Sequence, residues 1–196
     1  MARIHPTAIV EEGVTLGDRT SIWDNVHVRG PASIGADCII GEKTYIAYGV
    51  NIGDRVKLNA FVYICTGVTL GDGVMVSAHA TFTNDRYPRA TTPDLAHLRS
   101  SEPDADTIAT NVGPGATIGA AAVIGPGSHI GAFAMVGMGS VVTTPVASHA
   151  LVVGNPARQI GWVCACGPRI EIDDSRGTCS HCGRSYAESP AGLVEQ

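Results

Sequence analysis

Aromatic side chains are scarce, at 5% of the 196 residues, and charged ones sparse at 16%. So few rings argue against the aromatic platforms on which single-stranded nucleic acids stack. The net charge of −5 at pH 7 lacks the basic stripe that a polyanionic partner requires. No apolar run approaches the roughly 20 residues of a membrane-spanning helix, and no basic-then-apolar segment opens the chain as a signal peptide would. A soluble, cytoplasmic protein with neither nucleic-acid nor membrane partner is expected. The 3.6-residue apolar spacing of an amphipathic helix is missing as well.

A count of six takes its place. From Ile4, every sixth residue is apolar: Val10, Leu16, Ile22, Val28, Ile34, Ile40, Ile46, Ile52, Leu58, Ile64, Leu70, Val76 and Phe82. After a break the count resumes with Val112, Ile118, Ile124, Ile130, Val136 and Val142. In a chain that is 44% hydrophobic, independent residues would fill all of these rungs about once in ten million trials. Four places after each rung stands a smaller residue, such as Ala8, Thr20, Ala32, Cys38, Thr44, Ala80, Ala116 and Ser140, and Gly often follows the rung directly. A six-residue repeat is one short strand plus a corner, and three such sides close a triangular coil of about eighteen residues. Large rungs fill the inside of each face, small residues sit where the walls converge, and Gly is expected to supply backbone freedom at the corner. The fold class is therefore all-β, a parallel β-helix of about seven coils.

The regions that break the count carry the chemistry. From Asn84 the expected apolar positions hold Pro88, Asp94, Ser100 and Asp106, so an external loop spanning 84–111 leaves the coil. A long unstructured excursion in a compact domain is usually functional or disordered. Arg86, Tyr87, Pro88 and Arg89 are a poor composition for a mere tether. Ser148 to Arg158 abandons the six-beat and is expected to fold back along the helix, covering an end that would otherwise expose a sheet edge.

Beyond Trp162 the pairs Cys164/Cys166 and Cys179/Cys182, each followed by Gly, suit a tetrahedral four-cysteine zinc site. Such a ribbon takes its folding energy from the metal, and cytoplasmic conditions disfavour disulfides. The divisions expected are a β-helix over 1–160, a zinc ribbon over 161–186 and a flexible tail over 187–196. Of the remaining cysteines, Cys38 occupies a small inward position and Cys65, just after a rung, is expected at or near the surface.

The ladder resembles the left-handed β-helix acyltransferases of the hexapeptide-repeat superfamily, and left-handedness is what that resemblance implies. Ile22-Trp23 with His27, Thr66-Gly67-Val68, the string from Phe82 to Arg89 and the string from Val152 to Arg158 are similar to one subgroup. Its enzymes acetylate the 3-amino group of nucleotide-linked sugars for surface polysaccharides, and some carry a C-terminal cysteine ribbon. The resemblance implies a homotrimer with acetyl-CoA lying between neighbouring helices. Asn84 would meet the acceptor amine with Asp85 beside it, and Gly137, Gly139 and Arg158 would line the CoA groove. His27, Arg29, Thr66, Arg86, Tyr87 and Arg89 would bind substrate.

His79, on an outward position, is the competing choice of general base. The chain departs from the subgroup at Asp24-Asn25 and Asn59-Ala60-Phe61, which leaves the acceptor's identity open, and at Thr143-Thr144-Pro145, where the missing Lys would weaken a CoA phosphate contact. A γ-type carbonic anhydrase would need three histidine ligands, and the outward His27, His79 and His129 lack the close pair such a site uses. A non-catalytic scaffold acting through its ribbon, or an acyltransferase on another small amine or hydroxyl, are the alternatives.

Overall fold

The computed structural model describes residues 1–196 and contains strands and turns but no helix, so no helix is long and apolar enough to cross a membrane. Short parallel strands wind into a triangular solenoid. Each pairs with the strand one coil on, eighteen residues away in the uninterrupted coils, as Ile22 does with Ile40 and Tyr45 with Tyr63, and farther only across the excursion, as Val68 does with Thr110. The first face runs from Arg3–Ile4 to Met135–Val136 and the second from Ile9–Val10 to Val141–Val142. The third runs from Val14–Leu16 to His129–Ile130. We call the turn from first to second face the first corner, that from second to third the second corner, and that from third back to first the third corner.

Every rung from Ile22 to Val142 is buried, in one continuous core with the small series from Thr20 onward. Ile4 is the exception at 46% exposed, because the first coil has a neighbour on one side only; Val10 and Leu16 are half-buried for the same reason. Buried hydroxyls of the small series turn to the next coil. Thr20 donates to the Gly35 carbonyl at 2.7 Å and Thr44 to that of Asn59 at 3.1 Å. The expected Cys38 position is confirmed, its thiol 3.2 Å from the Gly53 carbonyl.

The role expected for the rung-following glycines needs correction. None of them has a positive φ; they are required by close approach, since a Cβ on Gly119 would lie 2.5 Å from the Met138 nitrogen. Left-handed backbone is carried two residues later, often by non-glycine residues such as Asn25, Lys43, Phe61 and His79, with φ between 52° and 60°.

The excursion leaves after Thr81–Phe82 and the chain returns as strand Thr110–Val112. It is ordered rather than slack. Asp85 bridges Thr107, Ile108 donates its N–H to the Asn84 carbonyl at 2.8 Å, and Thr91 bridges Leu98 further out.

After Val142 the chain turns onto the end of the solenoid. Ala150–Val153 extends the first face, and Arg158–Val163 pairs antiparallel with it. The flexible tail expected over 187–196 is not found. Ser185–Ser189 and Gly192–Glu195 join Arg176–Thr178 in a three-stranded antiparallel sheet. The reason is burial: Tyr186 and Leu193 form a second small core with Cys164, Ile170 and Cys179. Ser148 fastens this unit to the solenoid, donating to Ala191 O at 3.0 Å and accepting from Leu193 N at 3.1 Å. Buried His149 stacks on Phe133 (5.2 Å) and meets Tyr186 edge-on (4.9 Å). The expected boundary at 160/161 falls inside the strand Arg158–Val163, and Trp162 packs against both cores.

Candidate functional site

Where the excursion departs, the second corner and the loop line a polar cleft of about 110 Å³. Residues 48, 66 and 84 are spaced by one coil each, so Tyr48, Thr66 and Asn84 form its floor in register. The Asn84 amide nitrogen donates to the Thr66 carbonyl at 3.1 Å. Because that carbonyl can only accept, the bond fixes the amide and leaves Asn84 Oδ1 as an acceptor.

Asp85, Tyr87 and Arg89 join the same cleft from the loop, as does Arg99. Arg99 staples the loop's two limbs, donating to the Tyr87 carbonyl and to Asp104, each at 3.3 Å. Four carboxylates (Asp85, Glu102, Asp104, Asp106) against two guanidiniums (Arg89, Arg99) give the cleft a negative balance, which suits an amine that arrives protonated. Arg86, expected among the substrate-binding residues, is exposed and is not part of the lining. Beneath Asp85, Cys65 is buried at 4% exposed rather than near the surface. Burial pushes its thiol up to about 12, so it is inert as a nucleophile.

His27 and Arg29 stand on the second face beside this cleft. His27 Nε2 is 2.8 Å from Glu11 Oε1, and Arg29 Nε lies 3.0 Å from the same oxygen. The His27 contact, the Gly30 N–H and Arg29 together hold the Glu11 carboxyl below the usual carboxylate range. Arg29 also reaches the Tyr45 hydroxyl at 3.4 Å and lies 5.7 Å from the Tyr48 ring centroid. Tyr48 and Tyr45 were missed by sequence reasoning. Two eighteen-residue steps back from Asn84, or one forward from His27, would have found them.

His79 is only five residues from Asn84, yet it stands at the first corner, across the second face from the cleft. It is exposed, with its ring stacked on Phe61 at 4.9 Å. Within one chain the structure does not bring His79 and Asn84 together. The departures Asp24-Asn25 and Asn59-Ala60-Phe61 lie along that first corner too. So does Gly139, whose Cβ position is open, while Gly137 packs against Val153. Arg158 lines a separate hollow with Val142, Thr144 and Pro145, at the second corner two coils beyond Asn84. At about 4.8 Å per strand spacing this is roughly 10 Å along the axis.

The four C-terminal cysteines converge, all sulfurs lying within 4.8 Å of one another. Cys164 and Cys182 are 3.4 Å apart, Cys166 and Cys179 3.7 Å. A tetrahedral zinc with bonds of about 2.3 Å needs sulfurs about 3.8 Å apart, so the donor set fits. Backbone N–H groups aim at the second knuckle. That of Arg184 draws Cys182 down to about 6, and that of Cys182 lowers Cys179. Hydrogen bonding with Cys182 raises Cys166, because a neighbouring thiolate favours the protonated partner. Tyr186 Oη braces the cluster, 3.1 Å from Cys164 Sγ and accepting the Ala165 N–H at 3.1 Å.

Comparison with known proteins agrees with the repeat. The profile described as bacterial transferase hexapeptide (six repeats) matches residues 13–48 and 49–84, and that of the hexapeptide repeat of succinyl-transferase matches 110–144. A dTDP-3-amino-3,6-dideoxy-alpha-D-galactopyranose 3-N-acetyltransferase from Aneurinibacillus thermoaerophilus is 39% identical over 87 residues, 44% of this chain and 44% of that one. The chain thus matches less than half the length of this relative. Among solved structures, the N-acyltransferase AntD from Bacillus cereus, in complex with dTDP and 3-hydroxybutyryl-CoA, superposes with a TM-score of 0.56 at 19% identity. It covers 82% of this chain and 79% of that one. A histidine-to-alanine mutant of GDP-perosamine N-acetyl transferase from Caulobacter crescentus, in complex with CoA and GDP-perosamine, gives 0.51 at 21% identity, covering 82% and 56%. At these identities the two structures support the fold.

Proposed function

The chain belongs to the hexapeptide-repeat transferases, and from that premise we propose that it is an acetyl-CoA-dependent N-acetyltransferase acting on a nucleotide-linked amino sugar. The observation that carries this reading is the oriented amide of Asn84 in a negatively balanced cleft. The 3-N-acetyltransferase relative points to the same chemistry.

A thioester is already activated, so the main work is to aim a neutral amine at its carbonyl. Asn84 Oδ1 accepts one amine N–H and directs the lone pair; Asp85 stands beside it. The nitrogen attacks, the C–S bond breaks, and the departing CoA thiolate takes the surplus proton. With an amine pKa only about a unit above neutrality, as for α-amino groups near 7.7–8.0, a strong base is not required. The CoA groove in this reading is lined by Arg158 and by the Gly137–Gly139 corner, from neighbouring copies of a homotrimer. His79 serves as base only if a second copy carries it to the cleft. The thiolate cluster holds a structural zinc. The setting is cytoplasmic biosynthesis of surface polysaccharide.

The test is incubation with acetyl-CoA and a panel of UDP- and dTDP-linked 3- and 4-amino sugars, following free thiol and product mass. Turnover that is lost in Asn84→Ala supports the reading. Absence of CoA binding by calorimetry would sink it and leave a non-catalytic scaffold. Native mass measurement would report the trimer and one zinc per chain.

A further inference from the structure

The two cysteine pairs of the C-terminal unit differ in spacing. Cys179-Ser180-His181-Cys182 leaves two residues between its thiols, and Cys164-Ala165-Cys166 only one. The longer turn aims the N–H groups of His181 and Cys182 at the Cys179 sulfur and that of Arg184 at Cys182. The Arg184 guanidinium adds a further donor, 3.5 Å from Cys182 Sγ. In the shorter turn the backbone donors go to oxygen instead: Cys164 N–H to the Pro168 carbonyl, Gly167 N–H to that of Cys164, and Ala165 N–H to Tyr186 Oη. A side chain supplies the sulfur's donor there.

Tyr186 is 1% exposed, and its hydroxyl has two partners, the Ala165 N–H and Cys164 Sγ at 3.1 Å. The polarity of the second contact follows by elimination. Were Cys164 a thiol donating its proton, the phenolic proton would be left without an acceptor, and an orphaned buried donor is costly. With the sulfur accepting, both groups are satisfied. A thiolate, the form that binds metal, accepts more strongly than a neutral thiol. The Tyr186 ring has a separate contact, meeting His149 edge-on at 4.9 Å. The His149 carbonyl accepts the Val163 N–H at 2.8 Å, and His149 Nδ1 lies 2.9 Å from the Val163 carbonyl oxygen. Val163 directly precedes Cys164. One side chain thus touches both the sulfur and the residue that fixes the sulfur's strand to the solenoid.

We infer that Tyr186 is a positioning residue of the metal centre, its hydroxyl donating to the Cys164 thiolate and holding it for zinc while its ring docks the unit on His149. This rests on the zinc reading above. Four thiolates outweigh the charge of one zinc ion, so donors to sulfur relieve an excess of negative charge and fix the direction of the sulfur lone pairs. Loss of such a partner typically costs roughly ten- to hundredfold in metal affinity.

The test uses the full chain, wild type and Tyr186→Phe, titrated with zinc against a chromophoric chelator and with cobalt(II) as a coloured substitute for zinc. Phe keeps the ring and its contact with His149, so the fluorescence of Trp162 in the zinc-saturated variant should match wild type and verify that the unit is folded and docked. The expected result is a zinc affinity roughly ten- to hundredfold lower in Tyr186→Phe. The thiolate-to-cobalt charge-transfer band should also move to longer wavelength, because a sulfur relieved of its hydrogen bond gives up electron density more easily. The band decides between roles, since a loss of packing alone would weaken binding without moving it. Unchanged zinc affinity, or an unmoved band, in Tyr186→Phe overturns the inference while the zinc reading stands. A wild-type chain that takes up neither zinc nor cobalt counts against the zinc reading itself.

Discussion

Replacing Thr110 by Val should stabilise this protein, although it removes a polar group from a native position. Thr110 is 1% exposed and its hydroxyl has no hydrogen-bond partner. Its counterparts show why. Thr20 and Thr44 each donate to a carbonyl fifteen residues on, at Gly35 and Asn59. For Thr110 that carbonyl belongs to Gly125, and it is already taken by the Ser128 hydroxyl at 2.8 Å. An orphaned buried hydroxyl costs about 1–3 kcal/mol, and Val keeps the branched shape that a strand favours. With a urea m-value of roughly 2–3 kcal/mol/M, the midpoint should rise by about 0.5–1 M. Ser128→Ala supplies the control. Alone it frees the Gly125 carbonyl for Thr110 and should cost little; added to Thr110→Val it leaves that carbonyl without a hydroxyl donor and should cost about 1 kcal/mol. Denaturant titrations of the four proteins give the cycle. A lower midpoint for Thr110→Val, or strict additivity, would refute the competition for one carbonyl.

Further outcomes follow from the site and its supports. Asn84→Ala should lower kcat about 10²-fold through lost orientation while leaving the affinity for acetyl-CoA unchanged, as read in steady-state kinetics. Phe82→Ala empties a fully buried ring site at the root of the loop and should cost about 3–5 kcal/mol by urea unfolding. Cys164→Ser, or treatment with a strong chelator, should abolish the proposed zinc binding and melt the C-terminal sheet. Elemental analysis and the fluorescence of Trp162, which packs against both cores, would report it. Burial lowers the His149 pKa in the folded chain. The stability contributed by the neutral ring is therefore complete above the unfolded value of about 6.5 and lost as pH falls through the folded value. Acid should loosen the C-terminal unit, by the same fluorescence, and His149→Phe should flatten that dependence while keeping the stack.

The solenoid was legible because rung identity is set locally: each inward position repeats one environment, so Ile22 through Val142 announce themselves by spacing alone. Ile4 could not be read this way, since its burial depends on whether another coil lies beyond it. The loop was legible as a failure of the count, but its hydrogen-bonded order was not, because Asp85 and Thr107 meet across more than twenty residues. Neighbours in the chain proved misleading at His79 and Asn84, which a corner sends to different edges. Tyr48, thirty-six residues before Asn84, belonged to the cleft because two full turns bring it back to the same edge. The terminal strands escaped notice because Tyr186 and Leu193 are buried by a small core assembled from Cys164, Ile170 and Cys179, which no sequence period announces.

The point at which the excursion leaves the solenoid bears on how such a chain can change. Thr110 pairs with Val68 in the same register that the uninterrupted coils keep, so the stack is indifferent to how many residues were spent between Phe82 and Thr110. Loop length and composition are thereby free variables of inheritance. Lengthening, shortening or exchanging the segment alters what the cleft admits without asking any rung to move. A new acceptor specificity can then arise by recombination at one corner, on a framework already stable.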